Sequence, residues 1–153
     1  MRSRWWVSGA LTVPLVLLAA CGGSSSPAPS SSSGSASPSG LQTAKTSLGT
    51  VLTNEKGRTL YWFSLDTPAK SKCSGACASA WPPVAGPVSA ASGVSLSGKL
   101  ATITRSGGST QETYNGHPLY TFSADSGPGK TSGNGSSGFG GTWHAVTTSG
   151  AVA

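Results

Sequence analysis

The sequence predicts an all-β domain: a small duplicated meander or two-part sandwich built from two related hairpin units, with one disulfide and little or no helix. Three observations carry that prediction. Short runs rich in β-branched and aromatic residues alternate in hydropathy and are punctuated by Gly, Asn and Pro. A ten-residue block, Gly57 to Asp66, returns at an offset of 59 as Gly116 to Asp125 with six identical positions, as expected when one supersecondary unit is used twice. Apart from one turn around Ala76 to Trp81, no stretch shows the apolar period of an amphipathic helix.

The first forty residues stand outside that domain. Arg2 and Arg4 form a positive start, and Leu11 to Ala20 is an apolar run too short for a permanent span, which needs roughly 20 residues. It ends in Leu18-Ala19-Ala20-Cys21, which resembles a lipobox. Residues 1–20 therefore read as a lipoprotein-type signal peptide, removed so that Cys21 becomes the N-terminus and carries a thioether-linked diacylglycerol. Two chains, each burying methylenes at about 0.8 kcal/mol apiece, hold firmly where one is marginal. From Gly22 to Gly40 the chain has ten Ser, four Gly, three Pro and two Ala. Such a stretch has no apolar surface to offset ordering entropy and reads as a disordered tether, with an r.m.s. reach of about 24 Å.

Residues 41–153 read as one folded domain holding two copies, at about 48–84 and 110–146. In the first copy, Leu48 to Thr53 and Thr59 to Ser64 are strands around the polar loop Asn54 to Gly57. In the second, Thr110 to Tyr114 and His117 to Ser123 flank Asn115-Gly116, a strong hairpin signal because both residues tolerate positive φ. Pro118 makes its strand an edge, or delays its start. Leu100 to Arg105 is a further strand, joined through Ser106-Gly107-Gly108-Ser109, and Thr142 to Thr148 is the last. Pro82 to Gly93 and the Gly-rich stretch from Gly127 to Gly141 read as loops.

Charge excludes some partners. Without Arg2 and Arg4, eight basic residues face four acidic ones, a mature charge of +4. The basic residues are scattered along the chain, whereas nucleic-acid binding calls for a clustered patch, so no nucleic-acid partner is expected. Ala124 to Thr131 fits a relaxed P-loop pattern, and Gly133, Gly135 and Gly138 fit a dinucleotide fingerprint. Neither precedes a helix, so no nucleotide is expected.

The repeated element is Tyr-x-Phe-x-x-Asp: Tyr61, Phe63 and Asp66, then Tyr120, Phe122 and Asp125. Alternation puts each Tyr and Phe on one face, with Trp62 or Thr121 opposite. The aspartate follows the strand, where its carboxylate can accept N–H groups two residues on. Two readings follow: an aromatic core with a turn cap in each copy, or tyrosines and carboxylates gathered around a shared pocket. Cys73 and Cys77, an even pair after lipidation in an oxidising compartment, read as a disulfide fixing the turn between them. Cys73, Cys77, His117 and His144 also offer four donors for Zn or Cu. Against that, the spacing is C-x3-C, and the mature chain has no Met to serve as a blue-copper axial ligand. No catalytic motif is present: there is no G-x-S-x-G, and Asp66 with Asp125 is the one repeat-related carboxylate pair.

The tandem motif, together with Cys73-Ser74-Gly75-Ala76-Cys77-Ala78 leading to Trp81-Pro82-Pro83, resembles the bacterial secreted-repeat lipoproteins bearing Y-x-(F/W/Y)-x-x-D. Tyr114 to Tyr120 and Gly138 to Trp143 extend the resemblance, which covers roughly Leu48 to Val146. It implies no activity, since that family is of unknown function. The expectation from the whole sequence is a lipid-anchored extracytoplasmic protein, on the outer face of the plasma membrane or of an outer membrane where the host has one. Its expected role is a non-catalytic binding or structural module of the cell envelope, without cofactor. Its expected partners are the membrane through the anchor, and a cell-wall polymer or another envelope protein. The alternative is a metal or redox accessory protein using the two Cys and two His.

Overall fold

The computed structural model describes residues 40–150. The signal peptide, Cys21 and nearly all of the tether lie outside the described residues. Eight short strands and one helical turn follow in order: β1 Gln42–Thr46, β2 Gly49–Thr53, β3 Tyr61–Phe63, α1 Ala76–Ala80, β4 Leu100–Thr104, β5 Thr110–Tyr114, β6 His117–Pro118, β7 Ser137–Gly138 and β8 Gly141–Ala145. The class is the expected one: strands in three small sheets, one helical turn and two related halves.

Local chemistry explains three of the turns. β1 and β2 pair antiparallel, with Thr46 opposite Gly49. The Thr46 hydroxyl accepts the Leu48 N–H at 3.1 Å and donates to the Gly49 carbonyl at 3.0 Å. Between β2 and β3 the Asn54 side chain accepts the N–H groups of Lys56 and Arg58, each at 3.0 Å. That arrangement is an Asx turn that replaces missing backbone partners. The β5–β6 turn has Asn115 at φ 50° and Gly116 at φ 81°, the pair of positive φ values that a two-residue type I′ turn needs.

The halves are joined by backbone. β3 pairs with β8 on one side, Trp62 opposite His144. On the other side Tyr61 and Tyr120 exchange hydrogen bonds, N–H to O=C in both directions at 2.8 and 2.9 Å. The two repeated tyrosines thus face each other across an approximate two-fold axis. The same symmetry appears further out as two triangles of hydrogen bonds. In one, the Leu52 N–H donates to Val146 (2.8 Å), Val146 to Leu60 (2.9 Å) and Leu60 to Leu52 (2.9 Å). In the other, Glu112 donates to Val84 (2.8 Å), Val84 to Leu119 (2.9 Å) and Leu119 to Glu112 (2.9 Å).

These triangles show that the copies are exchanged. Strand β8, which ends the second copy, completes the first half, while the segment around Pro83–Ala85, which ends the first copy, pairs with Tyr120 and Gln111 of the second half. The stretch from Pro82 to Gly93, expected as a loop, therefore begins as a sheet edge. Likewise β7 lies inside the Gly-rich stretch, where its pairing with β8 supplies order that composition does not signal. β1 precedes Leu48, and its alternation is mostly polar, so the pairing with β2 is what makes it a strand.

Two apolar clusters result. One holds Val51, Tyr61, Phe63, Cys73, Cys77, Trp81, Tyr120, Trp143 and Ala145, all buried. The other holds Leu41, Leu52, Leu60, Tyr114, Leu119 and Val146.

Candidate functional site

The first cluster is organised around the repeated motif. On β3, Tyr61 and Phe63 are buried while Trp62, between them, is half-buried on the opposite face, as period-two alternation requires. Trp81 and Trp143 occupy equivalent positions and stack face to face, centroids 3.9 Å apart and planes 1° from parallel. Phe122 stacks on Trp81 at 4.1 Å and Phe63 on Trp143 at 4.3 Å, making a column of four rings. Tyr61 meets Trp81 edge-on at 5.3 Å, and Tyr120 meets Trp143 edge-on at 5.1 Å. Stacked and edge contacts between aromatic rings contribute about 0.5–1.5 kcal/mol each beyond area burial.

The hydroxyls cross between the copies. Tyr61 Oη donates to Asp125 Oδ2 at 2.8 Å, and Tyr120 Oη donates to Asp66 Oδ2 at 2.6 Å. Each aspartate's other oxygen closes a loop: Asp66 Oδ1 accepts the Lys72 N–H at 2.6 Å, and Asp125 Oδ1 accepts the Ser132 N–H at 3.0 Å. The caps thus reach six and seven residues on, rather than the two that an Asx turn spans, because each carboxylate orders the whole following loop. Burial, then the hydrogen bond and charge of Asp125, push the Tyr61 hydroxyl far above the usual tyrosine range. Tyr120 is pushed up to about 12, by burial first and then by its bond to Asp66. Burial raises Asp66, opposed by the Lys72 N–H, Tyr120, Arg105 and His117.

The motif residues therefore converge, but on each other. Both tyrosines are fully buried and both aspartates are occupied, so the shared pocket that the sequence offers as one reading is filled by the side chains themselves. The arrangement locks the copies together: each tyrosine donates to a carboxylate whose other oxygen holds the following loop.

The cysteines form the expected disulfide, Cys73 to Cys77, with Cα atoms 5.2 Å apart. It closes the loop entering α1 and packs in the aromatic cluster. The two histidines lie elsewhere, both against Trp62, with centroids at 4.5 Å for His117 and 5.0 Å for His144. Burial lowers the His117 pKa, with Asp66 opposing. The four donors do not assemble, and among the described residues no group of three or more His, Cys, Asp or Glu is placed to hold a metal ion.

Two features were not visible in the chain. Glu112 is buried, accepts the Val88 N–H at 2.9 Å, and has its pKa raised by burial; only the alignment of the two hydrogen-bond triangles shows that it stands where the first half has Leu52. The second is a cleft of about 490 Å³ lined by Lys70, Lys72 and Arg105, beside the disulfide. These cations look scattered because 33 residues separate Lys72 from Arg105. Their clustering depends on how the β4–β5 hairpin folds onto the loop after β3.

Fold and site define a class: a duplicated, disulfide-bearing β domain whose copies are locked by exchanged strands and crossed tyrosine–aspartate bonds. The chain belongs to the family described as a secreted repeat of unknown function, whose profile matches residues 42–85 and 101–147. The matched stretches begin in or beside the equivalent strands β1 and β4 and end in the two exchanged segments. Secretion agrees with the extracytoplasmic reading of the leader. Searches of curated proteins and of solved structures found no match.

Proposed function

We propose that this protein is a lipid-anchored, non-catalytic module of the cell envelope, held by acylated Cys21 and binding an envelope component through its folded domain. The supporting observation is the closure of the repeated motif. The tyrosines, aspartates and cysteines, the side chains best suited to chemistry, are bonded to one another, and all of them but half-buried Asp66 lie in the buried core. What remains for function is the surface, carried on a rigid support. The lipobox-like Leu18-Ala19-Ala20-Cys21 supports the anchor, and among the described residues no helix is long and apolar enough to cross a membrane.

Two measurements test the reading. Mature chain is incubated with cell-wall fragments and envelope extracts, and with model ester, glycoside and peptide substrates. Retention without turnover is expected; turnover abolished by replacing Asp66 and Asp125 with Asn would overturn it. Cys21→Ala should abolish lipid labelling and membrane retention while leaving the domain folded. Retention that survives the substitution would remove the anchor from the proposal.

A further inference from the structure

The two halves give an internal reference against which features confined to one of them stand out. The ring stack, the crossed bonds and the backbone triangles do recur. The basic cleft does not. By the register of the pairings, Val51 is the counterpart of Gln111, Thr46 of Arg105 and Gly133 of Cys73. At those three positions one half has only Val, Thr and Gly, with Lys130 alone matching a cation of the other half, where Arg105 centres a hydrogen-bonded cluster.

That cluster is built rather than incidental. Arg105 Nη1 donates to Ser71 Oγ at 2.9 Å and Gln111 Oε1 at 2.5 Å, and its Nη2 donates to the Cys73 carbonyl at 2.5 Å. Gln111 is buried and holds the Leu119 carbonyl through Nε2 at 2.8 Å, which fixes the acceptor that Arg105 uses. Ser71 in turn contacts Tyr120 Oη at 2.6 Å. The guanidinium is therefore held by side chains of the core, while the disulfide fixes the loop carrying the Cys73 carbonyl. Of a guanidinium's roughly five N–H donors, the bonds made within the fold leave two unengaged among the described residues. Exposed Lys70 and Lys72 add two ammonium groups, and Ser74 and Thr104 add hydroxyls. No carboxylate lines the cleft; Asp66, near enough to Arg105 to feel its charge, is bonded to Tyr120 and the Lys72 N–H.

We propose that this cleft binds a phosphodiester-bearing polyol or glycan chain of the cell wall. The inference rests on the envelope-binding reading above and names its ligand class. An oriented Arg with two Lys suits a tetrahedral oxyanion. The hydroxyl donors and a volume of about 490 Å³ suit a phosphate together with its neighbouring polyol unit, since inorganic phosphate alone would leave most of the space empty.

The test titrates the mature chain with a glycerol-phosphate oligomer by calorimetry and by amide NMR shifts. Saturable binding is expected, with shifts concentrated at Ser71–Ser74 and Thr104–Ser106. Lys70→Ala with Lys72→Ala should weaken it at least tenfold and flatten its salt dependence. Lys130→Ala, at the position equivalent to Lys70 in the other half, should leave it within twofold. Equal loss in both variants would reduce the effect to net charge and overturn the site. So would equal affinity for inorganic phosphate, or tighter binding to phosphatidylglycerol vesicles than to the oligomer. If wall fragments are retained but the double variant retains them equally well, the cleft assignment falls and the envelope reading stands. If no envelope material is retained, both fall.

Discussion

Asp66 and Asp125 hold equivalent positions but see different amounts of water: Asp125 is 2% exposed, whereas Asp66 is half-buried. Removing the tyrosine partner should therefore cost unequal amounts. Tyr61→Phe leaves a buried carboxylate oxygen without its donor and should destabilise by about 2–3 kcal/mol, whereas Asp66 can recruit water and Tyr120→Phe should cost about 1 kcal/mol. Urea denaturation of the two variants measures the order, and equal losses would contradict it. Glu112 offers a second single-residue experiment. Its folded pKa is raised, so the carboxyl's stability contribution is fully present below the ordinary glutamate range and is lost as pH rises through the folded value. Glu112→Gln keeps an acceptor for the Val88 N–H and removes the ionisation. It should be about 1 kcal/mol more stable than the parent at pH 7 and converge with it in acid. Urea midpoints at pH 4 and pH 7 decide.

At the scale of elements, the β7–β8 turn carries a local conflict. Phe139 sits at φ 54°, followed by Gly140 at φ 85°, and its ring is 51% exposed. A bulky residue in the left-handed region pays for a conformation that Asn adopts readily. Phe139→Asn should raise stability by about 1 kcal/mol, read as a rise in Tm. The Cys73–Cys77 bridge closes a very short loop, so Cys73→Ser with Cys77→Ser should cost about 2 kcal/mol and leave the chain folded.

Legibility also divides by element. Strands with their own period or turn chemistry, such as β5 and the Asn115-Gly116 turn, can be read from the chain, as can the helical turn at α1. β1, β7 and the Pro83–Ala85 edge cannot, because their order comes from partners far away in sequence. The motif residues of the site were legible, and so was the disulfide. Their crossing between copies was not, since either pairing of Tyr with Asp satisfies the pattern. The basic cleft was hidden for the same reason: its cations meet only through the tertiary fold.

For the whole molecule, pH acts through both ends of the scale. Tyr120 ionises near 12 in the fold against 10 for an ordinary tyrosine. Its contribution is thus complete below about pH 10 and lost as pH rises towards 12. The alkaline loss of near-UV dichroism from the stacked tryptophans should coincide with tyrosinate absorbance. Tyrosinate from Tyr120 appearing with the ring stack intact would break that coupling. His117 works in the other direction: its lowered folded value gives stability that is present above about pH 6.5 and lost as pH falls through that lowered value.

The exchange of strands between copies also governs the order in which the fold can be made. A chain leaving the cell N-terminus first exposes β1, β2 and β3 early, but Leu52 and Leu60 meet the backbone of Val146 only after nearly the whole polypeptide has emerged. The second half, by contrast, draws its strands from the contiguous stretch 82–122 and can close first. The export machinery would therefore handle a first half that stays threadable until the last strand arrives.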